Sequence, residues 1–109
     1  MGHLGNGTWH SDDVATTDDS GAFRREESDF RDRIASDHPD FPPEECRCHL
    51  YVSYACPWAH RTLIARKLKR LDHVITVDVV HPHMLENSWD FRGDFDGSTG
   101  DTVNRHNFL

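Results

Sequence analysis

Long apolar runs are missing from this sequence. No stretch approaches the roughly 18 apolar residues that a membrane-spanning helix requires. The opening "MGHLGNGTWHSDDV" lacks a basic segment followed by an apolar one, so it does not read as a secretory leader. Cysteine is scarce: three residues, an odd number, make no disulfide framework. That usage fits a reducing cytoplasm, in which a thiol stays free. Positive charge is in deficit, with 12 basic against 19 acidic side chains and a net charge of -7. Such a balance excludes broad nucleic-acid binding, which needs a positive surface to displace counterions. Asp outnumbers Glu and Arg outnumbers Lys. This bias suits either a protein kept soluble at high salt by hydrated carboxylates or an ordinary acidic surface.

Apolar content is also low, at 36% with a mean hydropathy of -0.74. The apolar residues that exist cluster between Leu50 and Met84. A length of 109 residues points to one domain. Its core is expected to be marginal, short of a self-sufficient domain.

Residues 1 to 44 read as an acidic lead-in. "HSDDVATTDDSG" is too polar to order itself by burial. In "FRREESDFRDRIA", Phe23, Phe30 and Ile34 recur at seven and four, the face of a candidate short helix. Prolines 39, 42 and 43 then bar any continuation. "CHLYVSYA" has the aromatic and β-branched content and the length of a strand. "PWAHRTLIARKLKRL" follows as a helix with Pro57 at its first position, where a missing N–H costs nothing. Ile64, Leu68 and Leu71 predict a buried stripe, and Lys67, Lys69 and Arg70 a solvated last turn. "HVITVDVV" predicts a second strand, buried on both faces of a parallel sheet. Strand, helix and strand make one βαβ unit of an α/β fold. The remainder, "HPHMLENSWDF" and "RGDFDGSTGDTVNRHNFL", reads as loop.

This arrangement delivers Cys56 to the end of the first strand and the start of the helix. There the helix's unpaired N–H groups and positive dipole end favour a negative charge on sulfur. The thiolate is the attacking form of cysteine. Open α/β sheets also place ligands at the carboxyl ends of their strands. The position three after Cys56 is Ala59, so the Cys-x-x-Cys pair of dithiol enzymes is absent. A lone thiolate suits one-cysteine exchange, in which a small thiol resolves a mixed disulfide. The bland alternative is a buried structural cysteine. His60 shares the helical face of Cys56, to support the thiolate or merely to pack, and Arg61 adds positive potential or faces solvent. Cys46, Cys48, His49, Cys56 and His60 offer zinc donors, but "CRC" leaves one residue between its cysteines where zinc pairs use two to four. No metal is therefore expected. Trp89, in the loop after the second strand, is either a pocket wall or a hydrophobic plug.

"HLYVSYACPWAHRTLIARKLKRL" with "VVHPHMLENSWDF" resembles the N-terminal part of the glutathionyl-hydroquinone reductases. These are omega-like enzymes of the glutathione transferase superfamily, also called the Xi class. "FRREESDFRDRI" and "GSTGD" extend the likeness over about residues 22 to 109. The resemblance implies a partial thioredoxin-like domain over 45–109, one βαβ unit behind a mostly irregular extension. A later all-helical domain and the dimer surface of family members have no counterpart in this sequence. It implies Cys56 as catalytic nucleophile, matching the family's Cys-Pro-Trp-Ala motif, with Pro57, His60 and Arg61 in support. It implies that Trp89, of the Glu-Asn-x-Trp motif, contacts glutathione. The implied reaction is glutathione-dependent reduction of glutathionyl-hydroquinones in the cytoplasm, impaired here by truncation. The alternative is a non-catalytic thiol-binding or redox-sensing βαβ remnant. Glutathione and glutathionylated quinones are the implied partners, with neither nucleic acid nor membrane.

Overall fold

The computed structural model describes residues 3–11, 17–24, 27, 28 and 30–109. Residues 12–16 of the acidic lead-in, and Arg25, Glu26 and Asp29 of the candidate helix, lie outside that set. Among the described residues of 27–34, no helix forms, and Phe23, Phe30 and Ile34 are all exposed. The spacing is helical, but no apolar surface covers that face, so nothing offsets the cost of helix nucleation.

The lead-in does hold one regular piece. Strands β1 (His3–Gly5) and β2 (Thr8–His10) pair antiparallel, with Leu4 opposite Trp9. Asn6 and Gly7 form the turn, with φ of 49° and 77°. Two consecutive positive-φ residues are the hairpin turn that Asn-Gly favours.

Strand β3 (Cys48–Val52), helix α1 (Pro57–Leu68) and strand β4 (Ile75–Val79) form the expected βαβ unit. β3 and β4 pair in parallel from Cys48↔Ile75 to Val52↔Val79. Alternation along the strands gives the sheet two different faces. Leu50, Val52, Val77 and Val79 share the apolar face; His49, Tyr51, Thr76 and Asp78 share the other. The buried apolar core is Val52, Val79 and Val80. β4 is covered on both faces only at its carboxyl end, where Asp78 and Val79 point to opposite sides, and its second buried face is polar rather than apolar as its Val content suggested. Thr76 is exposed, and buried Asp78 is surrounded by hydrogen-bond donors.

α1 begins at Pro57 and ends without glycine. Arg70 takes the left-handed position at φ 55°, its amide donates to the Lys67 carbonyl, and the Leu71 amide reaches back to the Arg66 carbonyl. This is the closing pattern of the Schellman motif. Arg66 then ties the helix to the second strand, donating to the Ile75 carbonyl at 2.7 Å and to Asp72 Oδ1 at 2.9 Å. The expected buried stripe does not form: Ile64 is 46% and Leu68 77% exposed, and only Leu71 is half-buried. Amphipathic spacing marks the face a helix can bury; burial also needs an opposing layer.

The chain after β4 folds back on the sheet. Thr99 and Val79 exchange hydrogen bonds, amide to carbonyl at 3.0 Å and amide to Oγ1 at 2.8 Å. Asp78, 2% exposed, accepts from the Thr102 amide at 2.6 Å and from the hydroxyls of Thr99 and Thr102. Tyr51 donates to Asp101 at 2.8 Å, and Asp101 accepts the amides of Val103, Asn104 and His106.

Candidate active site

Cys56 occupies the N-cap of α1 in extended conformation (φ -92°, ψ 113°). Its amide closes a turn onto the Ser53 carbonyl at 3.0 Å, and its own carbonyl accepts the His60 amide at 3.1 Å. The side chain is a free thiol, half-buried. The sequence predicted first-turn amides directed at the sulfur; the structure shows no capping hydrogen bond to it. Pro57 at the first helical position is not the cause, since capping donors are the amides of the second and third residues. The Trp58 and Ala59 amides still lack intrahelical acceptors by helix geometry, and the dipole's positive end remains at this terminus.

Pro57 and His60 are exposed, with His60 one turn along from the cysteine. Arg61 lies over the Trp58 ring, its guanidinium carbon 4.7 Å from the centroid. That cation–π contact, with both residues exposed, is what the structure shows Arg61 doing. Tyr54, just before the cysteine, lies close to Gly97: a Cβ at that glycine would sit 3.6 Å from its ring. The loop before the helix and the loop after β4 thus meet.

Trp89 is half-buried. Because β3 and β4 run parallel and in register at Val52↔Val79, the segments bearing Cys56 and Trp89 leave the same carboxyl edge of the sheet. Trp89 is held by its backbone, its carbonyl accepting the Leu109 amide at 3.0 Å. Asp90 follows, buried, bridged to Phe108 and salt-bridged to Arg92 at 2.8 Å.

The five candidate zinc donors do not converge: among the described residues, no group of three or more His, Cys, Asp or Glu could hold a metal ion. Cys46 and Cys48 are free thiols. His49 is engaged by Thr76, Nδ1 to Oγ1 at 2.6 Å, and its Nε2 lies 3.1 Å from Asp78 Oδ2 without hydrogen-bond alignment. No helix among the described residues is long and apolar enough to cross a membrane.

The sequence reading missed the buried carboxylates. Asp78 interrupts "ITVDVV", and a charge inside a Val run must find partners or be excluded. That signal was available. Asp90 and Asp101 sit in loops and give none.

The parallel βαβ unit with one cysteine at its helix start superposes on solved glutathione transferases and is a partial thioredoxin-like unit of that fold. No family model matches the chain. Individual relatives do. Glutathionyl-hydroquinone reductase YqjG of Escherichia coli K12 is 48% identical over 116 residues, covering 100% of this chain and 35% of that protein. Glutathione S-transferase omega-like 2 of Schizosaccharomyces pombe is 56% identical over 89 residues, 82% of this chain and 28% of that protein. Among solved structures, the Xi-class glutathione transferase of Natrialba magadii superposes with a TM-score of 0.81 at 43% identity, covering 100% of this chain and 32% of that one. The glutathione-bound structure of YqjG gives 0.69 at 53% identity, covering 74% and 29%. The chain spans about a third of the length of these relatives. It belongs to the Xi-class, omega-like glutathione transferases.

Proposed function

We propose that this chain carries the nucleophile of a glutathione-dependent reductase acting on glutathionyl-hydroquinones. Residues 45–109 form its thioredoxin-like part behind the lead-in of 1–44, and it works in the reducing cytoplasm. The observation that carries the reading is the placement of Cys56, a half-buried free thiol at the N-cap of α1. A helix start stabilises sulfur as an anion, and partial exposure lets it attack. Support also comes from the relatives, which include a glutathionyl-hydroquinone reductase, and from the glutathione-bound YqjG structure.

The Cys56 thiolate attacks the glutathione sulfur of the thioether. The carbon–sulfur bond breaks, the hydroquinone ring takes the electron pair and then a proton, and a Cys56–glutathione disulfide forms. A second glutathione, as thiolate, attacks the glutathione sulfur of that disulfide. Glutathione disulfide leaves, and Cys56 regains its electron pair. The thioether sulfur and one glutathione thiol are together oxidised to the disulfide and the ring carbon is reduced by the same two electrons, so no further reductant is needed. Trp89, at the same sheet edge, is proposed to contact glutathione. Arg61 contributes positive potential around the helix start, and His60 supports it by packing or a hydrogen bond.

The experiment incubates the chain with a glutathionyl-hydroquinone and follows hydroquinone release together with intact protein mass. One glutathionyl adduct mapping to Cys56, with release abolished in Cys56→Ser, is the expected result. An adduct at Cys56 formed from glutathione disulfide but not from the glutathionyl-hydroquinone, with no hydroquinone released, would identify a thiol-binding module instead. Release that persists in Cys56→Ser overturns the assignment.

A further inference from the structure

Asp90, the residue after Trp89, is a buried carboxylate that the proposed chemistry does not use. It is 5% exposed. Burying a charge is expensive unless it is paired and hydrogen-bonded, so its partners matter. Arg92 supplies most of them. Its Nε donates to Asp90 Oδ1 at 2.8 Å and Oδ2 at 2.9 Å, and its backbone amide reaches Oδ1 at 3.2 Å. The guanidinium extends to His81, with Nη2 3.4 Å from Nδ1.

His81 closes the circuit. It is 6% exposed, directly beyond β4 and Val80, and its amide donates to the Asp90 carbonyl at 2.9 Å. Its Nδ1 accepts the His83 amide at 3.1 Å, and its ring stacks edge-on with His83 and Phe95. Residues 81 and 90 are thus pinned together, and the segment between them is a closed loop. Within the loop, Leu85 and Ser88 exchange backbone hydrogen bonds, with Ser88 at φ 66°. Trp89 sits at the loop's exit, next to the pinned base. The other side of the base is stitched to the tail, by the Phe91 amide to the Asn107 carbonyl at 3.0 Å and the Leu109 amide to the Trp89 carbonyl at 3.0 Å.

From this geometry we infer that Asp90 and Arg92, with His81, are positioning residues that fix Trp89 at the carboxyl edge of the sheet for glutathione. The inference rests on the proposed role of Trp89. The ion pair closes the base of the 81–92 loop, so the backbone that carries the indole is held and the ligand does not have to order the loop on binding. The planar guanidinium shares its Nε–H between the two carboxylate oxygens and reaches His81 with Nη2, a two-ended hold that a single flexible ammonium does not reproduce.

The test uses the 109-residue chain and glutathione disulfide as probe, following glutathionylation of Cys56 by mass against probe concentration. Trp89→Ala examines the underlying reading; Arg92→Ala, Arg92→Lys and Asp90→Asn examine the inference. Arg92→Ala is expected to raise the half-saturating concentration about tenfold while the limiting rate changes less than about twofold, the signature of lost binding order rather than lost chemistry. Arg92→Lys should rescue little of it. Far-UV circular dichroism checks that each variant folds. If Arg92→Ala does not fold, Asp90→Asn, which keeps the shape of the pair, replaces it with an expected rise of about threefold. A half-saturation that shifts in Trp89→Ala but not in folded Arg92 and Asp90 variants overturns the inference and leaves the role of Trp89 standing. No shift in Trp89→Ala, or no saturation in the unmodified chain, overturns the role of Trp89 and the inference with it.

Discussion

The buried carboxylates decide most at the scale of single residues. Asp78 accepts an amide and two hydroxyls from Thr99 and Thr102 at the covered face of β4. Removing it leaves those donors facing a protein interior. Asp78→Ala is therefore expected to cost about 2 kcal/mol, read from the shift in urea midpoint at unchanged slope. Val80, fully buried, packs the core from the end of β4. Val80→Ala should cost a similar amount, about 2 kcal/mol, through lost contact and a residual cavity. Neither substitution touches Cys56, so alkylation of that thiol in the folded variants should proceed at the parent rate.

Asp101 organises the tail as an element. Its side chain is 1% exposed, and burial pushes its pKa up. The amides of Asn104, His106 and Val103 and the Tyr51 hydroxyl outweigh that and hold the carboxyl well below the usual range. A depressed acid stabilises the fold above its unfolded value of about 3.9, and that stability is lost as pH falls through the folded value. Tyr51 has the opposite sign. Burial and then the Asp101 hydrogen bond raise its pKa, so its contribution holds below about 10 and fades as pH rises through the folded value. Denaturant midpoints measured across pH should thus fall at both ends. Asp101→Asn should flatten the acid limb and Tyr51→Phe the alkaline limb. An acid limb of unchanged slope in Asp101→Asn would remove this account of the tail.

The helix shows how far an element's pattern can be trusted. Pro57, the cysteine before it and the Lys-Arg-rich end all sit where the sequence puts them, because start and stop signals act within one turn. The stripe of Ile64 and Leu68 is in place too, yet it faces outward. Leu68→Ala should accordingly change stability by less than about 0.5 kcal/mol, where a buried leucine would cost several times more. A large loss in that variant would show the face to be covered in solution.

The whole molecule is thinly packed. Among the described residues the buried apolar core is three valines, around the parallel two-stranded sheet, and large apolar side chains such as Trp58, Phe30 and Leu68 stay exposed. Polar stitching does much of the joining: Arg66 to Asp72 and Ile75, Asp78 to Thr102, Tyr51 to Asp101, and Asp90 to Arg92. The relatives that the chain matches are about three times as long.

The α/β class, both strands of the unit, the helix between them and the lone thiol at its start were legible in the residues alone. These are local facts: β-branched runs, a proline at a helix start and one-turn spacing act within a few residues. The Asn6–Gly7 hairpin was equally local and went unread. Tertiary structure alone decided which faces are covered, that Asp78, Asp90 and Asp101 are sequestered with their donors, that Arg61 lies over Trp58, and that Arg92 reaches His81 across the base of the loop bearing Trp89. Each of those depends on contacts between segments distant along the chain or on a side-chain conformer. Burial is a property of what lies opposite a residue, and no pattern within one element specifies that.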